Sequence, residues 1–217
     1  MKISLKKAKD IIKKNWVWIV FLVALIGFIA IAEDVFEQEI MRLDTMAYKI
    51  IVENLRNDTL TNIMQIITNL GGVITLVALA ILSLIVIKKK KIGVAICGNL
   101  VIISMLNVVL KNIVQRPRPD GYRLISESGY SFPSGHSMIS TAFYGFIIYL
   151  IYKNIKNKYL KYILCTTLGI LIPLIAISRV YLGVHYASDI IAGFLLSISY
   201  LVCYITIYNS IKIGESK

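Results

Sequence analysis

The chain contains two histidines, and each sits in a short polar connection between long apolar runs. His185 belongs to Ser178-Arg179-Val180-Tyr181-Leu182-Gly183-Val184-His185-Tyr186-Ala187-Ser188-Asp189, and His136 to Phe132-Pro133-Ser134-Gly135-His136-Ser137. Asp189 follows His185 by four residues, so a helical turn would put imidazole and carboxylate on one face. A carboxylate bonded to one ring nitrogen orients the imidazole and leaves the other nitrogen free to attack an electrophile. A single histidine at a membrane face is more often a hydrated structural residue. What favours chemistry here is the company that each one keeps.

That company is cationic. Lys111-Asn112-Ile113-Val114-Gln115-Arg116-Pro117-Arg118-Pro119 follows one apolar run, and Arg179 ends another. Charges at membrane depth are costly, up to ~3 kcal/mol each at mid-bilayer, and like charges gathered together repel. An anion is the natural remedy: arginine offers a planar fork that matches phosphate oxygens, and lysine adds a point charge. Contact with lipid headgroups, or snorkelling, would also explain any one of these cations taken alone. Ser134-Gly135-His136 stands where a helix starts after a proline. The unpaired N–H groups of a helix start favour an anion, and Gly135 allows close approach.

The elements that must position these residues are membrane spans. The sequence is 57% hydrophobic and 17% charged, and several apolar runs reach the roughly 20 residues that cross a bilayer core. We expect an all-α fold, a six-helix membrane bundle in one domain over residues 1–217. No linker or low-complexity tract divides it. The spans run from Trp16 to Ala32, about Leu60 to Ile87 with Gly71-Gly72 inside, Ile92 to Leu110, about Ser137 to Tyr152, Leu160 to Ile177 with Pro173 inside, and about Ile190 to Tyr208. The first run follows Lys2, Lys6, Lys7, Lys9, Lys13 and Lys14 and reads as a signal anchor; its Ala30-Ile31-Ala32 end also resembles a cleavage site. Residues 33–58 are acidic, and Ile40, Leu43, Ala47, Ile51 and Leu55 mark an extra amphipathic helix lying at the interface. Cys97, Cys165 and Cys203 fall inside apolar runs and read as buried thiols.

Six spans put both termini on one side, and an alternating bundle delivers Lys111, Arg118, His136, Arg179 and His185 to the opposite face. With the N-terminus inside, sixteen of the 24 Lys and Arg fall in inside segments, and ten of the 12 acidic residues fall outside. This is the bias expected for cytoplasmic termini. The net charge of +12 is therefore mostly a topology signal, and nucleic acid is discounted as a partner.

Taken together, Lys111-x6-Arg118-Pro119, Pro133-Ser134-Gly135-His136 and Ser178-Arg179-x5-His185-x3-Asp189 resemble the three-part signature of the type 2 phosphatidic acid phosphatase superfamily, complete and in order. The resemblance covers about residues 60–208 and is strongest to small bacterial members, which dephosphorylate phosphatidylglycerophosphate or undecaprenyl diphosphate at the outer leaflet. It implies a lipid phosphatase working through a phosphohistidine. His185 would be the nucleophile and Asp189 its partner. His136 would protonate the leaving oxygen and then activate water. Lys111, Arg118, Ser134, Gly135 and Arg179 would bind the phosphoryl oxygens. No cofactor is implied, and no metal either, because the polar loops lack the carboxylate cluster a magnesium-dependent phosphatase needs.

Arg116 and Arg123 lie outside that signature and are expected to meet lipid headgroups, and the 37–58 stretch to serve packing rather than to cover the site or guide a lipid in. A small-phosphoester phosphatase, or a non-enzymatic lipid transporter that keeps the cations but tolerates loss of His185, remain as alternatives. A soluble vanadium haloperoxidase shares the signature but would not need six spans.

Overall fold

The computed structural model describes the backbone of residues 5–37 and 40–214, and the side chains of 15–37 and 40–211. The basic residues Lys2, Lys6, Lys7, Lys9, Lys13 and Lys14 therefore lie, wholly or by their side chains, outside the described residues. Everything regular among the described residues is helical: α1 (Leu5–Phe36), α2 (Arg42–Ala47), a π-helical turn (Tyr48–Glu53), α3 (Asp58–Leu70), α4 (Val73–Val86), α5 (Lys90–Val114), α6 (Gly135–Asn154), α7 (Lys158–Tyr181) and α8 (Ala187–Gly214).

Three helices, α3, α6 and α7, start where a side chain satisfies a free backbone donor. Asn57 accepts from the Leu60 amide at 2.9 Å to open α3, and Asn157 accepts from that of Leu160 at 3.1 Å to open α7. At the other end of α5, Gln115 takes a left-handed conformation at φ 52° and sends the chain into the long loop that carries Arg116 and Arg118.

Four of these helices are individually long and apolar enough to cross a membrane: α1 from Asn15, α5, α7, and α8 to Ile211. The expected span over 60–87 is instead two helices, α3 and α4, bent by 43° across Gly71-Gly72. Tyr144 of α6 donates to the Leu70 carbonyl at 2.6 Å and fastens the bend to the centre of the bundle. α6 carries polar side chains into the interior, with Ser137, Ser140 and Thr141 all buried. It lies inside, packed on α5, α7 and α8, while α1 rides on α8 from outside. Phe143, Phe146, Leu76, Ile96, Leu100, Ile175 and Leu201 form the main core. Large apolar side chains such as Trp16, Val23, Ile26, Ile74 and Met105 point away from it, the arrangement of a bundle whose outer solvent is hydrocarbon rather than water.

The amphipathic helix expected over 33–58 takes a different form. α1 continues through Phe36, so Glu33 and Asp34 extend a span, and only six residues of α2 and the π-helical turn follow. Their inner face packs on α8 and α7, with Asp44 and Val52 buried. Hydrophobic periodicity alone could not show that a carboxylate belonged to the buried face.

Candidate active site

Ser178 and Arg179 occupy the last turn of α7, and Asp189 the first turn of α8. Between them the chain reverses through Gly183, whose φ of 75° suits glycine, and where a Cβ would stand 2.4 Å from the Tyr122 carbonyl oxygen. The reversal aims His185 back along α8. Its Nδ1 lies 3.3 Å from Asp189 Oδ2, and its Nε2 lies 3.0 Å from Arg118 Nη1.

Those two contacts fix the tautomer. A guanidinium has donors and no acceptor, so the Nε2 facing Arg118 carries the lone pair, and the ring proton sits on Nδ1 toward Asp189. Burial lowers the His185 pKa to about 4, against the opposing pull of Asp189. The imidazole is thus neutral at ordinary pH, with its lone-pair nitrogen turned toward a cation.

Asp189 is itself saturated. Its Oδ2 accepts from the Tyr186 amide at 2.9 Å and from the Ser131 hydroxyl, and its Oδ1 from Arg116 Nη1 at 2.7 Å. Ser131 also stands 3.3 Å from His185 Nδ1. Arg116 bridges to a second carboxylate, with Nη2 2.9 Å from Asp44 Oδ2. Burial would lower the Arg116 pKa, but Asp189 and Asp44 more than offset it and raise it. Arg116 is only 7% exposed, and the two carboxylates 1% and 0%. Removing one member of such a buried set costs about 3–5 kcal/mol, because a charge is left without a partner. The expectation that Arg116 meets lipid headgroups is therefore wrong: alternate positions of Arg116-Pro117-Arg118 send one guanidinium to Asp189 and the other to His185. Arg123, by contrast, is exposed and bonds Asp120 at 2.8 Å.

The other expected residues gather around this pair. Arg179 is buried, gives Nη1 to Thr68 at 2.9 Å and Nη2 to Glu127, and keeps Nε without a partner among the described residues. Arg118 also holds the Gly129 and Ser128 carbonyls, and Lys111 holds those of Tyr130 and Ser131. Ser134 caps α6, and its amide donates to the Asp189 carbonyl at 3.1 Å. Gly135 is also closely packed, since a Cβ there would stand 3.1 Å from Asn107 Oδ1. His136, on the first turn of α6, lies in the field of Arg179, His185, Arg118 and Lys111. The sequence reading missed Asp44, Arg116, Ser131 and Glu127. Only Arg116, beside the signature, carried a signal that could have found it.

A cavity of roughly 350 Å³ opens beside His185, walled mainly by apolar and aromatic side chains including Ile40, Tyr48, Val52, Tyr122 and Val180. The arrangement is that of a neutral imidazole among cations, next to an apolar chamber.

Comparison with known proteins shows the family. Residues 92–212 match the PAP2 superfamily. Phosphatidylglycerophosphatase B of Bacillus subtilis is 36% identical over 151 residues, covering 66% of this chain and 73% of the relative. An undecaprenyl-diphosphatase of Sulfolobus acidocaldarius is 32% identical over 92% of this chain and 96% of its own. Among solved structures, a transmembrane PAP2-type phosphatidylglycerolphosphate phosphatase from Bacillus subtilis superposes with a TM-score of 0.76 at 30% identity, over 91% of this chain and 98% of that one.

Proposed function

The chain belongs to the PAP2 superfamily and is a multi-pass membrane lipid phosphatase, and from that premise we propose that it hydrolyses a lipid phosphomonoester or diphosphate through a phosphohistidine on His185. The observation that carries this reading is the His185 geometry. Nδ1 is tied to Asp189 and the Nε2 lone pair faces Arg118, the side from which a phosphorus atom held by that guanidinium would be attacked. As the N–P bond forms, the imidazole gains positive charge, which Asp189 stabilises through Nδ1–H. Arg118, Arg179 and Lys111 neutralise the phosphoryl oxygens. The unpartnered Nε of Arg179 is a buried donor that such an oxygen would satisfy.

His136 would give its proton to the leaving oxygen as the P–O bond breaks, then take one from the water that attacks the phosphohistidine. That second step releases phosphate and restores neutral His185. The apolar chamber beside His185 favours a lipid over a small soluble phosphoester. The two named relatives make phosphatidylglycerophosphate and undecaprenyl diphosphate the first substrates to try. We place the site on the outer face of a six-span bundle, with α6 and the bent α3–α4 pair as spans and both termini cytoplasmic.

The test is phosphate release by the purified chain in detergent, on those two lipids and on phosphatidic acid. Turnover of at least one is expected, without added metal and undiminished by chelator. Release from p-nitrophenyl phosphate alone, with every lipid inert, would overturn the lipid assignment.

A further inference from the structure

The carboxylate of Asp44 lies among residues of the active site although it comes from α2, outside the stretch that matches the family. Its Oδ2 accepts from Arg116 Nη2 at 2.9 Å and from the Ser188 hydroxyl at 2.8 Å, and its Oδ1 accepts from the Ser188 amide at 2.7 Å. Arg116 in turn gives Nη1 to Asp189 Oδ1 and to Ser188 Oγ, both at 2.7 Å. The Tyr186 ring covers the guanidinium at 4.1 Å. A continuous chain of polar contacts thus runs Asp44, Arg116, Asp189, His185, all buried. The segment that carries Asp44 is fastened at its far end as well. Arg56 holds the Tyr181 carbonyl through Nε at 2.9 Å and Nη2 at 2.6 Å, so the segment grips the catalytic reversal on both sides.

We propose that Asp44 is a positioning residue for His185, acting through Arg116 to keep Asp189 oriented and to set the charge behind the nucleophile. The proposal rests on the reading of His185 as that nucleophile. Its physical content is a charge count. Asp189 and Arg116 alone form a neutral pair, which offers little to an imidazole becoming positive. With Asp44 the set carries a net charge of minus one, which stabilises the imidazolium as the N–P bond forms. Arg116 alone would pull Asp189 away from the ring; with Asp44 it is held from two sides.

This predicts a particular division between rate and binding. Asp44→Asn keeps the shape and one acceptor for Ser188 but removes the charge. In the full chain, purified in detergent, kcat is expected to fall about 10- to 100-fold, by analogy with the loss of the outer partner of a metal-ligating histidine. KM for the lipid and the inhibition constant of vanadate should stay unchanged or tighten, because a negative charge has left the vicinity of an anion site. Arg116→Gln should lower kcat likewise, and adding Asp44→Asn to it should cost nothing further, as expected of residues that act as a unit. An Asp44→Asn enzyme with full kcat overturns the proposal. So does one that has lost vanadate binding, since Asp44 would then be holding the fold alone, and so do losses that multiply in the double variant. His185→Ala, assayed alongside, tests the mechanism itself: turnover surviving there sinks the nucleophile assignment. An inactive His185→Ala beside an unimpaired Asp44→Asn sinks the Asp44 proposal alone.

Discussion

The carboxylate of Glu127 is closed on the guanidinium of Arg179, with its second oxygen 3.7 Å from Arg118 Nη2. A single carboxylate therefore spans the two arginines expected to bind the substrate phosphoryl group. Arg179 and Arg118 are 1% and 6% exposed at the side chain and Glu127 28%, so the acid reaches in from the loop over two buried cations. Phosphate and carboxylate would compete for the same donors.

Glu127→Gln should therefore tighten anion binding. A partly exposed ion pair is worth up to about 1 kcal/mol, so the inhibition constant of vanadate, and KM for the lipid, should drop by about threefold to fivefold. Weaker vanadate inhibition in the variant would mean that Glu127 helps to build the cradle rather than to fill it.

How far the residues alone could go is visible in these contacts. The His185–Asp189 pairing follows from their spacing of four, because a helix turn is a local object. The gathering of Lys111, Arg118, Arg179 and His136 follows from alternation of spans, which needs only apolar lengths and charge. Arg116 was misplaced because a two-residue alternation in an irregular loop does not say which guanidinium turns inward. Asp44 and Glu127 were invisible for a different reason. Their partners are distant in sequence, and the periodicity of a short amphipathic stretch reports which side is apolar, not which acid is buried with it. The break of the 60–87 run had a sequence signal in Gly71-Gly72, but its 43° bend depends on how the two halves pack.

Acid should silence the enzyme only at low pH. His185 is held neutral by burial, with its pKa lowered to about 4, while Asp189 opposes that shift and Arg118 and Arg179 add to it. A depressed pKa means the active, unprotonated ring persists as pH falls and is lost on passing below about 4. The rate of phosphoenzyme formation from p-nitrophenyl phosphate, whose leaving group needs no proton, followed by rapid quench, should stay flat through the ordinary histidine range near 6.5. A half-maximal loss at that ordinary value would show that His185 is solvated in the working enzyme. The same sign applies to folding: an unfolded chain takes up the proton near 6.5, so stability contributed by neutral His185 is present above that and is lost progressively toward pH 4.

The proposed outer-face position of the site rests on the charge bias of the sequence. Ser126 lies exposed in the loop between α5 and α6, which carries the cradle residues. In a background lacking Cys97, Cys165 and Cys203, Ser126→Cys should react with an impermeant maleimide on intact cells. Labelling only after the cells are opened would turn the bundle over.

The two histidines should fail in different ways. Under the proposed mechanism His185→Ala removes the atom that would bond to phosphorus, so no phosphoenzyme should form and turnover should vanish with every substrate. His136→Ala removes the proton donor, a contribution of about 10²- to 10⁴-fold in rate, and that loss depends on the leaving group. A lipid alkoxide needs the proton, whereas p-nitrophenolate departs without it. His136→Ala should thus still be phosphorylated by p-nitrophenyl phosphate, where that substrate is accepted. Its second step should be slow, because the same imidazole activates the water. Quenched-flow labelling should show phosphohistidine accumulating in His136→Ala and absent from His185→Ala. A label on His185→Ala would exchange the roles of nucleophile and acid, and would make the Asp189 contact to His185 a feature of the proton donor instead.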